Sequence, residues 1–192
     1  LEKIRDASHL HLDIVATGMH LSPEYGMTIS DIRNDGFDVA ECVDMLVSSD
    51  SQLGAAKSMG LGTIGFAQAF DKISPDLLLI VGDRFEAHAA AVAALPLNIP
   101  VAHIHGGEVT KGTLDDSLRH SITKLSHLHF VSTDQYRERV LQLGEEPWRV
   151  KVTGAPSLDK INRDELISRE TLQSRLDIPL SIAPMLATFH PV

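Results

Sequence analysis

Two short, almost unbroken apolar runs, LLLIV at 77–81 and IPVAHI at 99–104, constrain this chain more than any other feature. Each is too short for a helix and carries no alternating polar side. Strands of that kind are buried on both faces, which is the habit of parallel sheets. Helical patterns lie between such runs. Phe85–Leu95 is alanine-rich, and Asp115–Ser126 sets Leu118, Ile122 and Leu125 on one side. HLDIVATG (11–18), DVAECVDMLV (38–47), LHFVST (128–133) and RVKVTG (149–154) read as further strands, and residues 27–36 and 134–143 as helices, the latter capped by Asp134 and closed by Gly144. Regular alternation predicts a doubly wound α/β domain: a parallel sheet joined by right-handed crossovers, with helices on both faces.

Asp50–Ile73 also reads as a helix, although Gly54, Gly60, Gly62 and Gly65 interrupt it. Each costs roughly 1 kcal/mol relative to alanine. Two explanations stay open, close packing of the helix and backbone approached by a ligand. Cys42, the lone cysteine, lies in a strand pattern and is expected in the core; it excludes an intrachain disulfide. The chain starts at Leu1 with the tail of a helix, so an upstream segment is expected to be missing. After the polar, helical stretch 158–182, PMLATFHPV opens a new apolar run. Residues 1–183 are therefore expected to form one Rossmann-like domain, and 184–192 the first strand of a second.

The 17 Lys+Arg against 26 Asp+Glu leave a net charge of −9, which argues against nucleic-acid or anionic-membrane partners. No apolar run approaches the roughly 20 residues that span a bilayer, and no signal region opens the chain. Cytoplasm is the expected compartment.

In open parallel sheets ligands lie beyond the carboxyl ends of the strands, and the unusual polar residues of this sequence collect there. Thr17, Gly18 and His20 follow the first strand. Gly82, Asp83, Arg84 and Glu86 follow the LLLIV run. His103, His105, Gly106, Gly107 and Glu108 end IPVAHIHGGE, and Asp115, Asp116, Arg119 and His120 open the next helix. Ser132 and Thr133 end another strand. Arg84 and Glu86 read equally as a solvated pair. His103 and His105, two apart on a strand, share a face, and one of them reads equally as a core histidine. Gly106 and Gly107 allow backbone to approach a ligand and aim Glu108 into the crevice. The spacing in DDSLRH aligns Asp115 with Arg119 and Asp116 with His120. His103, His105, Glu108 and Asp115 can be drawn as a metal-ligand set, but HxHxxE is not a recognised zinc spacing. There is no G-x-S-x-G elbow, and no G-x-G-x-x-G directly follows a strand.

GDRFE (82–86), IPVAHIHGGEVT (99–110), DDSLRHSITKLSHLHFVST (115–133), YRERVLQLGE (136–145), VTGAPSLD (152–159) and ATFHPV (187–192) occur in an order that resembles the bacterial hydrolysing UDP-N-acetylglucosamine 2-epimerases of sialic acid biosynthesis. The resemblance implies the Rossmann-like half of a GT-B fold, with the first strand and most of the second domain absent, and hence a chain inactive alone. It implies expulsion of UDP with loss of the C2 proton, then hydration to N-acetylmannosamine. It implies a UDP-sugar as substrate, no cofactor, no resident metal, and a homodimer or homotetramer. Acid/base positions fall on Asp83, Glu108, Asp115 and His190. Substrate-positioning roles fall on His20, Arg84, His103, His105, Gly106, Gly107, Asp116, Arg119 and His120. Relatives with an acid where His105 stands leave open whether His105 or Glu108 moves the proton. A related diacetamido UDP-sugar, and a metal-dependent hydrolase built on the His/Glu/Asp cluster, are the alternative readings.

Overall fold

The computed structural model describes residues 1–49, 51–159, 161, 166–182 and 184–188. In chain order these form α1 (Glu2–Arg5), β1 (Ile14–Thr17), α2 (Ile29–Asn34), β2 (Val39–Val43), α3 (Gln52–Ile73), β3 (Leu78–Val81), α4 (Phe85–Ala94), β4 (Val101–Ile104), α5 (Leu114–Leu125), β5 (Leu128–Val131), α6 (Asp134–Gln142), β6 (Val150–Val152) and α7 (Arg169–Leu176). Every strand pairing is parallel. The alternation seen in the sequence is therefore the architecture, a Rossmann-like α/β domain.

Among the described residues the strands form two ladders, β1-β2 and β3-β4-β5-β6. They share one core. Val43 and Met45 pack with Phe66 and Phe70 of α3, the alanines of α4, Ile80, Val101 and Ile122 of α5. Partners in register point to the same side of a sheet, so Ile80, His103 and His129 share a face, and α3 to α6 pack against it. On the reverse, Leu79, Ile104, Leu128 and Phe130 are half-buried and Val81 is 60% exposed. Gly18, just after β1, lies against Glu86 of α4, so β1 rather than β2 faces β3. The β1-to-β2 and β2-to-β3 crossovers thus run in opposite directions. The right-handed rule then sets α2 on the face opposite α3, which is what doubly wound means.

The glycines of α3 are explained by close approach. A Cβ on Gly62 would come within 2.5 Å of Met45 Cε, one on Gly65 within 2.6 Å of Val43 Cγ1, and one on Gly54 within 2.6 Å of the Ser49 carbonyl. Gly60 faces open space. Packing, not a ligand, accounts for three of the four.

Three local expectations need correction. Cys42 is exposed, because alternate residues of β2 turn away from α3 and only Val43 enters the core. Helix α6 is capped not by Asp134 but by Thr133, whose Oγ1 accepts from the Tyr136 amide at 3.4 Å. Residues 184–188 carry no regular secondary structure, and Met185 and Leu186 are 94% and 93% exposed; the rest of the expected terminal strand lies outside the described residues. Among the described residues no helix is long and apolar enough to cross a membrane.

Candidate functional site

The turn after β3 places Asp83 with the help of Gly82, whose φ of +83° suits glycine. Asp83 is ion-paired with Arg119, which reaches back from the second turn of α5. Arg119 is only 6% exposed. Its Nη2 also donates to Thr110 Oγ1 at 3.0 Å, while Nε and Nη1 find no hydrogen-bond partner among the described residues. Asp116 Oδ1 accepts from the Thr110 amide at 2.9 Å and lies 3.8 Å from Arg119 Nη1 and 3.9 Å from His120 Nε2. One network therefore ties the end of β3, the loop after β4 and the start of α5. The expected Asp115–Arg119 pair does not form, because the guanidinium turns inward to Asp83. Asp115 is exposed on the first turn of α5, without a side-chain hydrogen bond among the described residues.

A second group lies at the ends of β4 and β5. Glu108 Oε1 accepts from His105 Nδ1 at 2.8 Å and from Ser132 Oγ at 2.8 Å. The His105 and Glu108 side chains are 25% and 30% exposed. His105 holds a left-handed backbone, φ +71°, uncommon for a residue with a Cβ.

His103, expected to position substrate or hold a carboxylate and read equally as a core histidine, is fully buried. Its Nε2–H donates to the Gly82 carbonyl at 2.8 Å, and Nδ1 faces Thr123 Oγ1 at 3.4 Å. Thr123 donates in turn to the Arg119 carbonyl at 3.0 Å. His103 thus braces the backbone on both sides of the Asp83–Arg119 pair. Burial pushes its pKa down to about 4, against the raising effect of the Gly82 carbonyl, so it is a neutral donor at ordinary pH. Gly106 and Gly107 are likewise buried against protein. A Cβ at Gly107, where φ is +78°, would come within 2.4 Å of the Tyr136 carbonyl, and one at Gly106 within 3.1 Å of His103 Nδ1. They let α6 and α5 close over the loop and offer no surface to a ligand.

Arg84 and Glu86 are more than a solvated pair. Arg84 grips Glu86 through two bonds of 3.1 and 3.0 Å, and Glu86 is only 7% exposed, wedged against Gly18. The Arg84 side chain remains 52% exposed. His20 bonds Thr28 Oγ1 at 2.7 Å, beside β1. His190 lies outside the described residues. Thr110 and Thr123 were missed as site-building residues, and neither carried a sequence signal. Glu86 was singled out at its strand end but not as a site residue, and it proves to be a buried acid in the first turn of α4. Among the described residues no three His, Cys, Asp or Glu side chains group to hold a metal, and His103 is committed to Gly82.

The family model described as UDP-N-acetylglucosamine 2-epimerase matches residues 2–192. The chain belongs to that family. It is 40% identical over 99% of its length to a Campylobacter jejuni GDP/UDP-N,N'-diacetylbacillosamine 2-epimerase (hydrolyzing), covering 49% of that protein. It is 38% identical over its whole length to a Neisseria meningitidis UDP-N-acetylglucosamine 2-epimerase, covering 50% of that protein. The chain thus spans about half the length of the curated relatives it matches. Among solved structures it resembles a UDP-GlcNAc 2-epimerase from Neisseria meningitidis bound to UDP-GlcNAc. The TM-score is 0.73 with 20% identity, over 82% of this chain and 42% of that one, and the likeness concerns the fold.

Proposed function

We propose that the full-length protein is a hydrolysing 2-epimerase of a UDP-2-acetamido sugar, with UDP-N-acetylglucosamine as substrate. The observation that carries this is the meeting of acids from separate strands at one end of the sheet. Asp83 with Arg119 and Glu108 with His105 and Ser132 are joined by the loop through Thr110.

The reaction needs that arrangement. In the first step a base removes the C2 proton. The C2–H electron pair becomes the C1–C2 double bond, and the C1–O bond breaks with its electrons leaving on UDP. In the second step water supplies oxygen to C1 and a proton reaches C2 from the opposite side, giving N-acetylmannosamine. The C2 proton is weakly acidic, so both steps call for positioned proton carriers. Glu108 and Asp83 serve the elimination, Asp115 at the exposed start of α5 assists hydration, and His190, outside the described residues, is assigned to the departing diphosphate. Arg119, Asp116 and His120 hold the carboxylates, and Arg84 presents a fixed, half-exposed cation beside them. No step changes oxidation state overall, so no cofactor enters. The chain alone, about half the length of its relatives, is expected to lack turnover.

The higher identity to the Campylobacter jejuni enzyme supports a second reading, the same chemistry on UDP-N,N'-diacetylbacillosamine. One experiment separates the two. The full-length protein is incubated with each UDP-sugar in turn, and free UDP and the released sugar are followed by NMR. UDP release from one substrate alone assigns it; release from neither overturns the hydrolytic reading.

A further inference from the structure

The carboxylate of Glu108 is asymmetric in its surroundings. Oε1 accepts two hydrogen bonds of 2.8 Å, from His105 and from Ser132, which arrive from β4 and β5. Oε2 has no partner among the described residues. An oxygen that already accepts two donors is poorly placed to bind a proton, and a proton added to the carboxyl goes to the other oxygen. The Ser132 hydroxyl has one hydrogen to give, and the geometry spends it here. We propose that Ser132 is a positioning residue for Glu108: with His105 it saturates Oε1 and leaves Oε2 as the oxygen that takes up and returns the proton.

The backbone of His105 supports this independently. A side chain at φ +71° is strained, and such strain persists where the surroundings over-determine it, often at working sites. Its neighbours explain the conformation. The His105 amide donates to the Phe130 carbonyl at 3.1 Å, continuing the β4–β5 ladder. The chain must then turn sharply into the buried Gly106–Gly107 pair. Glycine would satisfy that turn without strain, yet histidine stands there with its Nδ1 on Glu108. Ser132 stands one residue beyond Val131 at the end of the neighbouring strand, so adjacent strand ends deliver both donors to one atom. With Nδ1–H donated, His105 Nε2 has no hydrogen-bond partner among the described residues and is the second free atom of the unit.

The inference rests on the proposed epimerase reading and is tested so that the two fail separately. The full-length wild type, Ser132→Ala, Ser132→Thr and Glu108→Gln are assayed on UDP-N-acetylglucosamine, and on UDP-N,N'-diacetylbacillosamine if only that is turned over, across pH 5.5–9. Ser132→Ala should lower kcat roughly 10- to 100-fold, within the range of a single positioned proton-transfer contact, with KM changed less than about threefold. Ser132→Thr should restore most of the rate. A wild-type kcat in Ser132→Ala, a loss carried by KM instead of kcat, or an equal loss in Ser132→Thr overturns the positioning role. An inactive Glu108→Gln beside a fully active Ser132→Ala sinks this inference alone, whereas an active Glu108→Gln takes down the site as well.

Discussion

At the scale of single residues, the Asp83–Arg119 pair has two jobs that mutation separates. Arg119 is buried, and its Nε and Nη1 lack hydrogen-bond partners among the described residues. Removing its counter-charge strands a guanidinium that cannot give up its proton. Asp83→Asn is therefore expected to lose at least about 100-fold in rate and also to destabilise the fold by roughly 3 kcal/mol, read as a lower urea midpoint at unchanged slope. Glu108→Gln, whose partners are a serine and a partly exposed histidine, should show the loss in rate with less than about 1 kcal/mol in stability. His105→Gly should behave in the same way. Relief of a left-handed backbone is worth about 1 kcal/mol and offsets the lost hydrogen bond. The variant should melt within a few degrees of wild type while kcat collapses.

At the scale of elements, α3 offers a contrast within one helix. Gly62→Ala places a methyl 2.5 Å from Met45 and 3.2 Å from Ala89 Cβ, so it should cost about 1–3 kcal/mol by overpacking. Gly60→Ala meets nothing within 4 Å and should gain about 1 kcal/mol from helix propensity alone. Paired thermal denaturation checks both signs. The helix, the strands around it and the collection of polar residues at strand ends were legible because periodicity and burial act locally along the chain. What His103, Gly106, Gly107 and Arg119 do was not. Each is decided by an atom far off in sequence: the Gly82 carbonyl for His103, the Tyr136 carbonyl for Gly107, and Asp83 for Arg119. Helical spacing favoured Asp115 as the partner of Arg119, and a half-buried carboxylate from the turn after β3 won. Ser132 showed its location in the sequence but not its bond to Glu108, which depends on the register of β4 against β5.

At the scale of the whole molecule, two fully buried imidazoles sit side by side across β4 and β5, His103 opposite His129. Burial lowers both, His103 to about 4. His129 bonds Glu145 at 3.3 Å; burial raises Glu145, but its bonds from Lys124 and His129 outweigh that and leave it below the usual carboxylate range. The signs agree. Unfolded histidine takes up a proton below its ordinary value of 6.5, while native His103 refuses one until about 4. Stability is thus complete above pH 6.5 and is lost as pH falls toward 4, by about 3 kcal/mol from His103. Loss of the Glu145 carboxylate at still lower pH acts in the same direction. The urea midpoint should fall between pH 7.5 and pH 5, and His103→Gln should flatten that fall whatever its own cost. A midpoint independent of pH would mean these histidines are charged in the native state.

The division of the strands into two ladders bears on how the molecule opens. Among the described residues, β4 and β5 each pair with a strand on either side, whereas β1 and β2 pair only with each other. Amide protons of β4 and β5 should be released to deuterated solvent through global unfolding, and those of β1 and β2 much sooner, as a separate foldon. The carboxylates after β3 and β4 would then ride on the slow-exchanging part, while His20, beyond β1, moves with the part that breathes.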